Sequence, residues 1–228
     1  MSDGSSIGMT HLPFGGRFTY TRGELIADGA VHAVGIALAL VAGAALLSLA
    51  PGMRTGEYVA AFFYVVTLLA VFSISCAYNL WPLTPVKWIL RRFDHAAIYA
   101  LIAGTYTPFL AQLGESRLTV LLLAAVWGAA ACGIALKLLL PGRFDRLAIV
   151  FYLALGWSGA VVAGPLIGAL SPAALLLILI GGLTYSTGVV FHVWSTLKFQ
   201  NAVWHGFVVA GAGLHFAAVL DTLVINRL

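Results

Sequence analysis

The sequence predicts an all-α integral membrane bundle of seven transmembrane helices, and three observations predict it. Of 228 residues, 61% are hydrophobic and only 9% are charged, with a mean hydropathy of +1.01. A soluble domain carries about 25% charged residues, so this chain has too little polar surface to cover itself in water. Apolar runs of about 20 residues, long enough to cross a hydrocarbon core of ~30 Å, recur seven times. Basic residues alternate between the two sides of these runs, loop by loop.

Residues 1–23 are polar, rich in Gly, Ser and Thr, and lack a basic stretch followed by an apolar core, so they do not read as a secretory signal. They are expected to be a disordered tail, with 24–228 forming one domain. The first run covers 26–49 and stops at Pro51-Gly52. The second covers 58–81, before Pro82 and Pro85, and the third covers 95–113 and stops at Gly114. The fourth covers 118–140 and ends at Pro141-Gly142; the fifth covers 145–163 and ends at Gly164-Pro165. The sixth, 172–192, opens after Ser171 and gives way to the polar stretch Ser195 to Asn201, and the seventh covers 202–223. Proline lacks a backbone donor and glycine favours turns, so these breaks separate helices.

Arg17, Arg22, Lys87, Arg91, Arg92, Lys137, Arg143, Arg146 and Lys198 fall on one side, against Arg54, Arg117 and Arg227 on the other. Basic loops stay in the cytoplasm. This places the N-terminus inside and the C-terminus outside, with the inner (plasma) membrane the expected location. The formal charge of +4 and pI of 9.3 fit this orientation. The aromatics are spread through the helices, so nucleic acid is not an expected partner. Gly35, Gly43, Gly128, Gly133, Gly181, Gly188, Gly206, Gly211 and Gly213 read as sites of close helix packing. Cys76 and Cys132 lie in apolar stretches and make no disulfide framework.

Topology collects polar residues at one depth. Glu24, Asp28 and His32 open the first helix, and Ser75 and Asn79 close the second. Asp94 and His95 open the third, His192 closes the sixth, and Asn201 and His205 open the seventh. Glu24/Asp28/His32, Ser75/Asn79 and Asn201/His205 are i,i+4 sets, each on one helix face. Ionisable groups within membrane helices face a bundle interior or a wet cavity. Ser75, Asn79, Asp94, Asn201 and His205 are therefore expected around one cavity on the cytoplasmic side. Glu24 also suits a helix cap, His95 and His192 suit headgroup contacts, and His215 suits a bond between helices. The sequence carries no phosphate-cradling glycine loop, nucleophile elbow or His-Glu-x-x-His pair.

The run from Arg91-Arg92-Phe93-Asp94-His95 to Gly104-Thr105-Tyr106-Thr107-Pro108-Phe109 resembles the third helix of the hemolysin III family, the bacterial branch of the progestin and adipoQ receptors. Glu24…His32-Ala-Val-Gly35, Tyr185-Ser-Thr-Gly188 and Trp204-His205…His215-Phe216 add to the resemblance. It implies a Zn²⁺ held by one histidine at the end of helix two and two at the start of helix seven. A serine and an aspartate attend the metal-bound water. Ser75, Asp94 and His205 match those positions, while Asn79 and Asn201 stand where two ligands should be. Neutral amides are poor zinc donors. The expected site is thus a degenerate one, carrying well under one Zn²⁺ per chain, with Ser75 and Asp94 as candidate catalytic residues if an enzyme is present.

The function this implies is lipid sensing or membrane homeostasis through a polar, cytoplasm-facing cavity, with membrane lipids as partners. Two alternatives stand beside it. One is metal-dependent hydrolysis of lipid amides such as ceramides. The other is a channel-forming cytolytic protein, although no helix carries the end-to-end polar stripe that a wet pore wants.

Overall fold

A computed structural model describes residues 19–49 and 52–227. The tail expected over residues 1–23 lies outside the described residues up to position 18, and α1 already begins at Arg22. The helices are α1 (Arg22–Ser48), α2 (Thr55–Leu80), α3 (Pro85–Leu110), α4 (Arg117–Leu139), α5 (Asp145–Trp157), α6 (Ala163–Ala169), α7 (Pro172–Val193) and α8 (Gln200–Leu223). Six of these are long and apolar enough to cross a membrane, and the count is seven when α5 and α6, which pass the same test together, are taken as one bent span. Among the described residues there is no strand.

The lipid-facing surface is apolar, as a membrane requires: Ile26, Val41 and Leu139 are each more than 70% exposed. The interior is close-packed around Leu46, Tyr64, Leu110, Val219 and Leu223. Helices approach closely where one presents glycine. Gly104 of α3 seats against Thr67 of α2, and Gly188 of α7 against Phe207 and Trp204 of α8. Gly128, Gly206 and Gly213 face open space, so the packing role read for them from sequence is not realised.

The fifth span departs from a straight helix over 145–163. Its axis bends by 63° between Asp145–Val161 and Ala163–Ala169. The cause is a side chain inserted into the hydrogen-bond ladder, a recognised origin of helix kinks. The Tyr106 hydroxyl of α3 donates to Gly156 O at 2.7 Å and accepts from Gly159 N at 2.7 Å, and Ser158 Oγ adds a bond at 3.3 Å. A 3-10 turn, Ser158–Val162, follows. Pro165 then has no N–H to offer Val161, so the helix cannot resume its old direction.

Candidate functional site

The starts of α1, α3, α5 and α8 and the ends of α2, α4 and α7 share one end of the bundle. Here Glu24 is a capping residue. Thr21 Oγ1 accepts from Glu24 N at 3.3 Å while Glu24 Oε2 accepts from Thr21 N at 2.9 Å, the reciprocal bonds of a capping box. Its other oxygen accepts from Phe199 N at 3.2 Å, which ties the left-handed backbone at Phe199 (φ 59°) to α1. Glu24 is thereby a brace between α1 and the start of α8.

One and two turns along α1, Asp28 and His32 are 2% and 1% exposed. Asp28 Oδ1 lies 2.6 Å from His205 Nδ1 of α8, and His32 Nδ1 lies 2.9 Å from Asp28 O. Both rings turn Nε2 toward one hydroxyl: Ser75 Oγ of α2 is 3.3 Å from His32 Nε2 and 3.5 Å from His205 Nε2. The two imidazole centroids are 4.3 Å apart. Asp94 of α3 faces the same Ser75 hydroxyl and His205. Ligand atoms of Asp28, His32 and His205 lie within 4.8 Å of one another, a set that could hold a metal ion.

The two amides at the positions the resemblance assigns to histidine are engaged with each other. Asn201 Nδ2 donates to Asn79 Oδ1 at 3.2 Å, and Asn79 Nδ2 donates to Ser75 O at 3.0 Å and Ser75 Oγ at 3.3 Å. Tyr20 Oη donates to Asn201 Oδ1 at 3.5 Å. Both carboxamide oxygens thus already accept hydrogen bonds, and His205 is the one imidazole at the three positions. The residues present do not fit a three-histidine zinc site.

Beside this cluster lies a cavity of ≈ 620 Å³, walled by α3, α5, α7 and α8. Asn79, Asp94, Asn201 and His205 line it as expected, and Ser75 joins them through its bond to Asn79. His95 and His192 line it too, rather than pointing at headgroups. His215 lies deeper: its Nε2 sits 3.2 Å from Ile178 O, the inter-helix bond expected of it.

Sequence reading missed the charges at the cavity's polar end. Arg91, Lys137 and Lys87, counted above as loop cations, are 8%, 4% and 6% exposed. Asp145 accepts from Lys137 Nζ at 2.7 Å and from Arg91 Nη2 at 2.9 Å, and His95 Nδ1 is 3.9 Å away. Lys87 Nζ donates to Asn79 O at 3.1 Å and Trp81 O at 2.8 Å, capping the carbonyl end of α2. α3 begins ten residues ahead of its apolar run and carries Lys87 and Arg91 into the bundle, while Lys137 lies within the run of α4 itself. The visible signal was Lys137 and Asp145 flanking a four-residue break with Arg91 already basic.

Residues 24–216 match the model of the haemolysin-III-related family. The Hemolysin-3 homolog of Bacillus subtilis is 35% identical over 202 residues, covering 88% of this chain and 95% of the relative. Hemolysin-3 of Bacillus cereus is 35% identical over 205 residues, covering 90% and 94%. The human Monocyte to macrophage differentiation factor is 29% identical over 218 residues, covering 92% and 90%.

Proposed function

Because the chain belongs to the haemolysin-III-related family and is a multi-pass integral membrane protein, we propose that it is a lipid sensor whose cavity takes an amphiphile with an anionic head. The cavity carries this reading. Its walls are apolar, with Ile98, Leu101, Ile102, Leu166 and Ile178 among them, and its volume suits an acyl chain. Its polar end presents Lys87, Arg91, Lys137 and Arg146 against the carboxylates Asp94 and Asp145. Four cations over two anions in a low-dielectric recess favour a carboxylate or phosphate head. The apolar walls suit lipid better than water, which weighs against a channel.

In detergent, the protein is expected to gain thermal stability with oleic acid or phosphatidylglycerol and to gain little with phosphatidylcholine. Mass action sets the gain at about 2.7 kcal/mol when free lipid is 100 times Kd. Lys137→Gln should weaken the anionic lipid roughly tenfold, as expected for loss of about 1.4 kcal/mol. Equal stabilisation by phosphatidylcholine, or an unchanged response in Lys137→Gln, would overturn the reading. Oleic acid acting without phosphatidylglycerol would identify a free fatty acid; the reverse would identify a phospholipid.

The same reading sets the cavity's polar end in the cytoplasm, on the strength of the basic asymmetry. Reporter fusions at residues 1 and 228, expressed in a bacterial inner membrane, should land on opposite faces, the first inside. Both on one face would remove this orientation.

A further inference from the structure

The deep wall of the cavity is not wholly apolar. His205 and His215 both line it and stand ten residues apart on α8, which is roughly 15 Å at 1.5 Å per residue. His215 therefore sits near the middle of a hydrocarbon core of ~30 Å. Tyr185 of α7, also in the cavity wall, lies beside it with ring centroids 5.4 Å apart. Each ring is seated in a notch of the opposite helix. A Cβ at Gly181 of α7 would collide with His215 Cδ2, and one at Gly211 of α8 would come within 2.9 Å of Tyr185 Cδ2. Gly181 and Tyr185 are i,i+4 on α7, as Gly211 and His215 are on α8. This reciprocal close approach fixes both rings in place.

The fixed rings hold polar atoms that packing does not use. His215 gives Nε2 to Ile178 O at 3.2 Å. Its Nδ1 and the Tyr185 hydroxyl make no hydrogen bond among the described residues. The Tyr64 hydroxyl of α2, 1% exposed, also lacks a partner and lies within electrostatic reach of Tyr185. Unmet polar groups are costly at this depth, where no water replaces the missing partner. Phenylalanine would fill the same notches without that cost.

We propose that the lipid of this cavity carries a hydroxyl on its chain, bound by Tyr185 Oη and His215 Nδ1. The inference rests on the lipid reading above and names the class of chain. A hydroxyl both donates and accepts, so it pairs with His215 whether that ring is neutral or charged. It donates to a bare Nδ1 and accepts from an N–H there, and the Tyr185 hydroxyl takes the role that remains. An unsubstituted chain leaves these atoms unmet. Depth sets the position of the hydroxyl. With C–C bonds of ~1.5 Å an extended chain advances roughly 1.3 Å per methylene, so His215 lies about twelve carbons below a head at the level of His205. Ricinoleic acid carries a hydroxyl at that position of an otherwise oleic chain.

The test compares ricinoleic with oleic acid, and diricinoleoyl with dioleoyl phosphatidylglycerol, as thermal stabilisers of the full chain in detergent. The hydroxylated member of at least one pair should bind about tenfold tighter, the gain expected of two hydrogen bonds of modest net worth. Tyr185→Phe keeps the ring in its notch. It should remove most of that advantage and leave binding of the plain chain unchanged. Equal binding within both pairs, or an advantage that Tyr185→Phe retains in full, would overturn the chain hydroxyl while the lipid reading stands. No response to any of the four lipids would overturn both. Should Tyr185→Phe fail to fold, nitrogen NMR of His215 in the wild type decides. A shift of Nδ1 with the hydroxylated lipid and not with the plain one supports the site, and no shift overturns it.

Discussion

Tyr106→Phe is expected to cost the protein roughly 2–6 kcal/mol, although it removes a single oxygen. That oxygen satisfies two backbone groups of the fifth span, Gly156 O and Gly159 N, each at 2.7 Å. Gly156 is exposed on the protein surface and Gly159 half-buried, but lipid supplies no water to replace the lost partner, so each unmet group costs about 1–3 kcal/mol. The span cannot simply straighten, because Pro165 still denies Val161 its ladder bond. Unfolding in mixed SDS micelles measures the loss. A variant that unfolds at the wild-type SDS fraction would show that the hydroxyl does not hold the bend.

Asp28→Ala is expected to destabilise the protein by about 1.5–3 kcal/mol, the worth of a buried hydrogen bond to a charged group. The carboxylate is 2% exposed and holds His205 Nδ1 at 2.6 Å. Asp28→Asn should recover much of the loss, because an amide oxygen still accepts the Nδ1 proton. The same unfolding assay reads both variants. An alanine variant within 0.5 kcal/mol of wild type, the usual span for a surface change, would mean the pair carries no weight.

The spans were legible because lipid imposes one rule on every helix: about 20 apolar residues with breaks between them. The depth of the polar groups followed from topology, and i,i+4 spacing gave Asp28 and His32 a common face. Their partners were not legible. His205 is 177 positions from Asp28, and which face of α1 meets which face of α8 is set by packing that no local pattern encodes. The bend in the fifth span was hidden for the same reason. Its breaker is a tyrosine 50 positions upstream, and Gly164-Pro165 marked only where the helix could not restart. Lys137 and Arg91 read as loop cations because a charge at a helix end looks the same whether the helix stops or carries it inward.

The long sequence separation of the α1 contacts has a consequence for biosynthesis. Glu24 finds its partner Phe199 175 positions later, and Asp28 finds His205 177 positions later. At 5–20 residues per second, a ribosome takes roughly 10–35 s to cover that interval. For all of that time the first helix to emerge carries the Asp28 carboxylate without the imidazole it will hold. An acidic side chain in a membrane helix costs up to about 3 kcal/mol on insertion. A shallow or sheltered position of the first helix until α8 arrives would lower that cost.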